Sequence, residues 1–207
     1  MVLACLIASI GIYLDSPILI IGGMVVGPEF GPIAGFCVAV VHRRADEAWR
    51  SLAALAVGFP LAIFAAYLFT ILAKATGLLD ADIESSEHAL SDFISHPDGF
   101  SFIVAALAGA AGVLSLTSAK SGALIGVLIS VTTILAAANI GIAAALGDWS
   151  DWRGSIAQLV VNLVAIVLAG IGTLSVQRLL YKRRLRRHQD EIARLDARAP
   201  VDPPESA

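Results

Sequence analysis

The sequence predicts an all-α, polytopic membrane protein of about five to six transmembrane segments. Of its 207 residues, 57% are hydrophobic and only 15% are charged, a composition far more apolar than that of a soluble domain. The apolar residues form runs of membrane length that are separated by mostly short polar connections. The lipid bilayer is therefore the expected partner, and nothing in the pattern indicates a nucleic-acid-binding surface.

Six segments follow from the positions of the polar connections. They are residues 2–14, 17–41, 51–74, 101–118, 121–146 and 155–181. At about 1.5 Å per residue, the segment 17–41 reaches about 37 Å, which exceeds the hydrocarbon thickness of about 30 Å. The first segment is too short to span, which is consistent with a truncated start of a longer chain. A cleavable signal peptide is not expected, because Met1 leads directly into apolar residues.

Turns and polar connections separate the segments. The stretch Asp15–Pro17 predicts a turn, because the residue before a proline disfavours the helix and Asp and Ser are suited to cap the next helix. His42–Arg50 and Asp148–Arg153 are predicted loops, and Lys120–Gly122 is a predicted tight turn. The fourth segment is rich in alanine and glycine, which let helix backbones approach closely. We expect that helix to be buried in the bundle, or to form the interface of a homodimer.

The connection 76–99 is long and acidic, and apolar residues recur in it at helical spacing. This pattern predicts an external amphipathic helix at the membrane interface. His88, Asp92 and His96 would share one face of that helix. Because no tight metal-binding signature surrounds them, we prefer a solvated face over a metal site.

Basic residues predict the orientation. One side of the membrane collects Arg43, Arg44, Arg50, Lys120, Lys182, Arg183, Arg184, Arg186 and Arg187. The other side has only Lys74 and Arg153. The positive-inside rule therefore places both termini in the cytoplasm, as expected for a multi-pass protein of the inner membrane.

Residues 182–207 are predicted to form a cytoplasmic basic helix followed by a disordered tail. The basic cluster consists of Lys182, Arg183, Arg184, Arg186 and Arg187. We expect it to bind anionic lipid and to fix the topology. Recruitment of a cytoplasmic partner is the alternative.

The segment 17–41 is interrupted in its middle by Gly27, Pro28, Glu29, Gly31 and Pro32. Prolines remove backbone donors, glycines loosen the helix, and free backbone groups are tolerated at that depth only inside protein or along a cavity. A carboxylate near the midplane costs about 2.5 kcal/mol or more unless it is protonated, paired or facing water. We therefore interpret the segment as a broken helix around a proton or cation site. The alternative is that Glu29 pairs with a neighbouring helix or lies nearer a surface.

The fifth segment has polar residues at mid-depth, as the segment 17–41 has Glu29. Thr132, Thr133 and Asn139 are predicted to complete a polar pocket, or else to make interhelical hydrogen bonds. Asn162 and Gln158 are interpreted as packing contacts, and Cys5 and Cys37 as small buried hydrophobes. Because both termini are predicted on the same side of the membrane, the six segments divide into two triplets of opposite orientation. This arrangement is typical of transporters with an inverted repeat.

Three stretches carry a resemblance to a known family. The pattern GLxxDSPxLxIGGMxxxPxxGP, met here as Gly11–Pro32 with Ile12 and Tyr13 in place of leucines, and the stretches Ser121–Val127 and Asn162–Ile166 resemble the bacterial and archaeal family called domain of unknown function 389. The resemblance implies an uncharacterised polytopic membrane protein with no established substrate. This chain departs from the family pattern at Gly27, at Glu29, where an apolar residue is usual, and at Leu135-Ala136, where a proline pair is usual.

No enzymatic signature, cofactor fingerprint or metal-binding motif is present in the sequence, so we expect neither an enzyme nor a cofactor. The function hypothesis is a secondary transporter or channel-like permease for a small solute or ion that uses Glu29. The alternative is a non-transporting scaffold or sensor that acts through its outer loop and cytoplasmic tail.

Overall fold

The described part of the computed structural model covers residues 1–78, 99–116 and 122–196, in which seven helices and no strand occur. The helices are α1 (Val2–Tyr13), α2 (Pro17–Val26), α3 (Phe30–His42), α4 (Ala45–Ala75), α5 (Gly99–Leu116), α6 (Gly122–Leu146) and α7 (Trp149–Asp196). The predicted all-α class is confirmed. Three predictions concern residues outside these ranges: the helix within 76–99 with its His88, Asp92 and His96, the Lys120 turn, and the tail after residue 196.

Two helices are long and apolar enough to cross a membrane, namely α4 and the part Trp149–Arg184 of α7. The bent pair of α2 and α3 makes a third if it is counted as one span. Val2–Tyr13, Gly99–Ser115 and Thr133–Leu146 are shorter apolar helices. These apolar helices are those of a membrane protein, and the total of five to six spans stays a prediction.

The connections that precede α4 and α7 are shorter than predicted. Only Arg43 and Arg44 join α3 to α4, because Arg43 adopts the left-handed conformation (φ 57°, ψ 36°). The N–H groups of Arg43 and Arg44 donate to the carbonyls of Val40 and Ala39, which closes the helix end. The predicted loop His42–Arg50 is therefore mostly the first turns of α4.

The loop before α7 is shortened in the same way. Gly147 has a φ of +82°, a value that glycine adopts easily, and it ends α6. The carboxylate of Asp148 then accepts the N–H groups of Ser150 and Asp151 at 3.0 and 3.1 Å, so that Asp148 caps α7. As a result Trp149 is already helical, and α7 continues through Lys182 without interruption.

Helices α1 and α2 form a tight antiparallel hairpin. A Cβ atom added to Gly11 would lie 2.7 Å from Ile20 Cγ1, and one added to Gly23 would lie 2.9 Å from the carbonyl oxygen of Ala4. The two backbones therefore touch because no side chain separates them.

Helix α6 lies at the centre of the bundle and packs against α1, α2, α4, α5 and α7. Every residue from 133 to 143 is buried. The alanine- and glycine-rich α5 was predicted to be the buried helix, but its Phe102, Val104 and Leu107 are exposed. Its small residues instead face α7 in the same chain, where Gly109 lies directly on the backbone of Ile166. The homodimer stays a prediction.

Replacing Gly109 by alanine tests the contact between α5 and α7. The added methyl would meet the carbonyl oxygen of Ile166 and lie 2.8 Å from its Cα atom, so we expect a loss of about 1–3 kcal/mol in the free energy of unfolding. Gly172→Ala on α7 is the matched control, because nothing lies within 4 Å of its added methyl. Thermal unfolding in one detergent should show a lower midpoint for Gly109→Ala only, and equal midpoints would contradict the packing described.

Candidate functional site

The predicted break in the segment 17–41 is present, at residues 27–29. Helix α2 ends at Val26, Gly27 is extended (φ −66°, ψ 120°), and α3 starts after Glu29. The two half-helices are bent by 48° relative to each other. Gly31 and Pro32 do not make a second break, because they lie in the first turn of α3, where a missing N–H breaks no intrahelical hydrogen bond.

Glu29 is the N-cap residue of α3, and its side chain is completely buried, with 0% of its surface exposed. Its backbone carbonyl accepts the Ile33 N–H at 3.1 Å, which is the first hydrogen bond of α3. The carboxyl group thus lies at the amino end of a half-helix, where the helix dipole favours negative charge. A buried carboxyl group in this position is suited to hold a proton or a small cation.

Cys5 connects Glu29 with the central helix. Its thiol on α1 lies within electrostatic reach of the Glu29 carboxyl group. The same sulfur lies 3.9 Å from the carbonyl oxygen of Ile134 on α6 and donates a long, weak hydrogen bond to it. The break, α1 and the middle of α6 therefore meet around Cys5, which the sequence had indicated only as a small buried residue.

The polar residues predicted on α6 have separate surroundings. Thr133 is fully buried, and its hydroxyl donates to the Ile129 carbonyl of the same helix at 3.1 Å. Asn139 Nδ2 donates to Ser155 Oγ on α7 at 2.9 Å, which is an interhelical hydrogen bond. The side chain of Thr132 lies outside what the structure describes. Helix α6 is continuous at Leu135-Ala136, so there is no counterpart there of the break in α2–α3.

A buried polar stripe on α7, formed by Ser155, Gln158 and Asn162, continues from the Asn139 contact. The spacing i, i+3, i+7 puts the three residues on one face of the helix, and all are buried. Among the described residues, Oε1 of Gln158 has no hydrogen-bond partner. The spacing alone could have indicated this stripe, although Gln158 and Asn162 were interpreted as packing contacts.

A second polar contact joins α1 to α4. The Tyr13 hydroxyl donates to Thr70 Oγ1 at 2.8 Å, and the Thr70 hydroxyl donates to the Ala66 carbonyl at 2.9 Å. Both side chains are buried. No local pattern in the sequence indicates this pair, since the two residues are 57 positions apart.

The basic cluster predicted to bind lipid begins on the exposed surface of α7, where Lys182, Arg183 and Arg184 are exposed. The side chains of Arg186 and Arg187 are outside the described part. One turn before the cluster, Arg178 Nη1 donates to the Val41 carbonyl at the end of α3, at 2.6 Å. Among the described residues, no group of three or more His, Cys, Asp or Glu side chains could hold a metal ion.

Comparisons with known proteins add family membership. A family model described as "Domain of unknown function (DUF389)" matches residues 24–168. An uncharacterized protein of Methanocaldococcus jannaschii is 25% identical over 171 residues, which cover 83% of this chain and 51% of the relative. The chain thus spans about half the length of that relative. No solved structure matches the chain significantly.

The family match extends from the carboxyl half of α2 to the apolar part of α7 and includes the break with Glu29. It covers well over half of the 207 residues. The expectation drawn from the Gly11–Pro32 pattern is therefore confirmed, and the chain belongs to the DUF389 family of proteins with a domain of unknown function.

Proposed function

We propose that this protein is a secondary transporter or channel-like permease for a small solute or ion, with Glu29 as its proton- or cation-binding group. One observation carries the proposal: a completely buried carboxyl group at the break between two half-helices of an apolar bundle. An ionisable residue inside a membrane protein is by default a candidate for a functional site. Broken helices place their dipole ends and backbone groups at such sites in many transporters.

The surroundings of Glu29 support an occluded site. Met24 and Ile33 before and after the break are buried, and so is Cys5 on α1. An ion reaches an enclosed carboxyl group only when neighbouring helices separate. We expect the α1–α2 hairpin to move as one unit relative to α6, because Gly11 and Gly23 hold its two backbones together.

We propose that the protein lies in the inner membrane with both termini in the cytoplasm. The packing of the helices supports this orientation. His42 and Arg43 at the end of α3 line the same cavity as Arg178 and Lys182 of α7. Two basic segments that the positive-inside rule assigns to one side are thus neighbours in space.

Glu29→Gln tests the site, because it removes the charge and keeps the side-chain volume. Detergent-purified protein is screened by thermal shift against Na⁺, K⁺, Mg²⁺ and small metabolites at several pH values. A ligand at about 100 times its Kd stabilises the folded state by about 2.7 kcal/mol. We expect Glu29→Gln to lower the affinity for the stabilising ligand at least about tenfold, since a hydrogen bond to a charged group contributes about 1.5–3 kcal/mol.

Glu47→Gln is the matched control, since Glu47 is an exposed carboxylate paired with Arg44 at 2.9 Å. It should bind the ligand like the unmodified protein, and flux of that ligand into liposomes should be lost in Glu29→Gln alone. If Glu29→Gln were more stable and transported every ligand normally, the site would be refuted. Loss of function on removal of the tail after Arg198 instead would favour a scaffold or sensor.

Whether Asn139 belongs to the solute site is tested by a double-mutant cycle with Ser155. If the hydrogen bond joins the helices, Asn139→Ala and Ser155→Ala should show a coupling energy of about 0.6 kcal/mol in thermal unfolding. Ligand affinity should then be unchanged in Ser155→Ala. A fall in affinity for Asn139→Ala that exceeds the fall for Ser155→Ala would place Asn139 in the site.

The orientation is tested with single cysteines in a background in which Cys5 and Cys37 are replaced by alanine. Leu78 and Glu47 are exposed at opposite ends of α4. A membrane-impermeant maleimide should label Leu78→Cys in intact cells and Glu47→Cys only after permeabilisation. The reverse labelling pattern would overturn the assignment of the termini to the cytoplasm.

A further inference from the structure

A cavity of about 580 Å³ lies between the end of α3 and the middle of α7. Four of its lining residues carry nitrogen groups: His42, Arg43, Arg178 and Lys182. None of its lining residues in the described part of the chain is acidic. This α3–α7 cavity is separate from Glu29, which lies at the opposite end of α3.

The basic side chains reach the cavity for local structural reasons. Arg43 is the left-handed residue that ends α3, so the chain turns there and leaves the side chain at the helix end. Arg178 and Lys182 are four residues apart on α7 and therefore share one helical face. The hydrogen bond from Arg178 to the Val41 carbonyl holds the guanidinium group against α3.

The donors of the cavity are suited to a phosphate group. A guanidinium has five N–H donors in a planar fork that matches phosphate oxygens, and the bond to Val41 uses one of them. His42 donates from Nδ1 to the Val38 carbonyl at 2.9 Å, so Nε2 of the neutral ring is an acceptor and adds no donor for a phosphate. The Ser175 hydroxyl donates to the Ile171 carbonyl at 2.7 Å, so it does not add a donor to the site.

The end of α3 would not attract an anion by itself, because the carboxyl end of a helix dipole is negative. Arg178 counteracts this dipole by binding the Val41 carbonyl. Arg43 and Lys182 are then the positive groups with which an anion would pair. Their like charges, gathered at one cavity without an acidic lining residue, create a positive potential that an anion relieves.

Apolar side chains complete the cavity and indicate a lipid as the occupant rather than a free phosphate. Val40, Ile171 and Leu179 line it, and Leu179 is 55% exposed. Lys182 lies near the end of the apolar part of α7, Trp149–Arg184, so the cavity is at the boundary between apolar and polar surfaces. A phosphate could occupy its polar end while an acyl chain follows the apolar residues along α7.

We propose that the α3–α7 cavity binds the headgroup of an anionic phospholipid. The phosphate pairs with Arg43 and Lys182 and accepts a remaining N–H of Arg178, and the acyl chains lie against Val40 and Leu179. This site differs from a general attraction of basic residues to a charged membrane, because it depends on residues from two helices that meet only in the fold.

The test compares two double variants that each remove two positive charges. Arg43→Gln/Lys182→Gln changes the cavity and retains the Arg178 hydrogen bond. Arg183→Gln/Arg184→Gln removes neighbouring exposed charges that do not line the cavity. Binding of dioctanoyl phosphatidylglycerol to the detergent-purified full chain is measured by native mass spectrometry and by thermal shift.

We expect the affinity for this lipid to fall about tenfold or more in the cavity variant and less than about threefold in the control variant. Dioctanoyl phosphatidylcholine and glycerol 3-phosphate should bind the unmodified protein much more weakly. Equal losses in the two variants would show general electrostatic attraction and overturn the proposal. Tight binding of glycerol 3-phosphate would identify a free phosphate site, and equal binding of phosphatidylcholine would remove the role of charge; each of these results also overturns it.

Discussion

Close approach of helix backbones is the interaction on which the rest of this structure depends. Within a membrane, apolar side chains gain little by leaving lipid for protein, so helices associate through tight packing of small residues. Gly141 on α6 shows the principle, because a Cβ atom there would lie 2.7 Å from the Ile63 carbonyl oxygen of α4. Gly109 and Gly23 allow similar contacts between α5 and α7 and between α1 and α2. At the centre of these packed helices, the residues of α6 from 133 to 143 are all buried.

The same packing determines the environment of the polar side chains. Where backbones touch, a buried hydroxyl or amide must find its partner on the next helix or in its own preceding turn. Tyr13 with Thr70 and Asn139 with Ser155 follow the first route, and Thr133 follows the second. Glu29 differs from all of them, because it is an ionisable group placed where α2 and α3 are interrupted. Its position combines full burial with a local departure from regular helix.

Local features of the chain could be predicted from the sequence, and features that depend on distant contacts could not. The break at Gly27 and Pro28 was predictable, because it follows from backbone chemistry within a few residues. The left-handed Arg43 was missed since no glycine marks that turn, and the predicted loop was correspondingly too long. The burial of α6 rather than α5 depends on which neighbours each helix meets. His42 and Arg178 line the same cavity. No local sequence pattern indicates that these two residues lie close together.

The continuity of α7 has a mechanical consequence. Its 48 residues form a rod of about 72 Å at about 1.5 Å per residue, against a hydrocarbon layer of about 30 Å. The rod begins beside the Asn139 contact near one end of the bundle and extends well past the end of α3 at the other. A small tilt of α7 within the bundle would therefore be magnified beyond it. The carboxyl end of α7 would then move farther than the part of the helix that packs against α3.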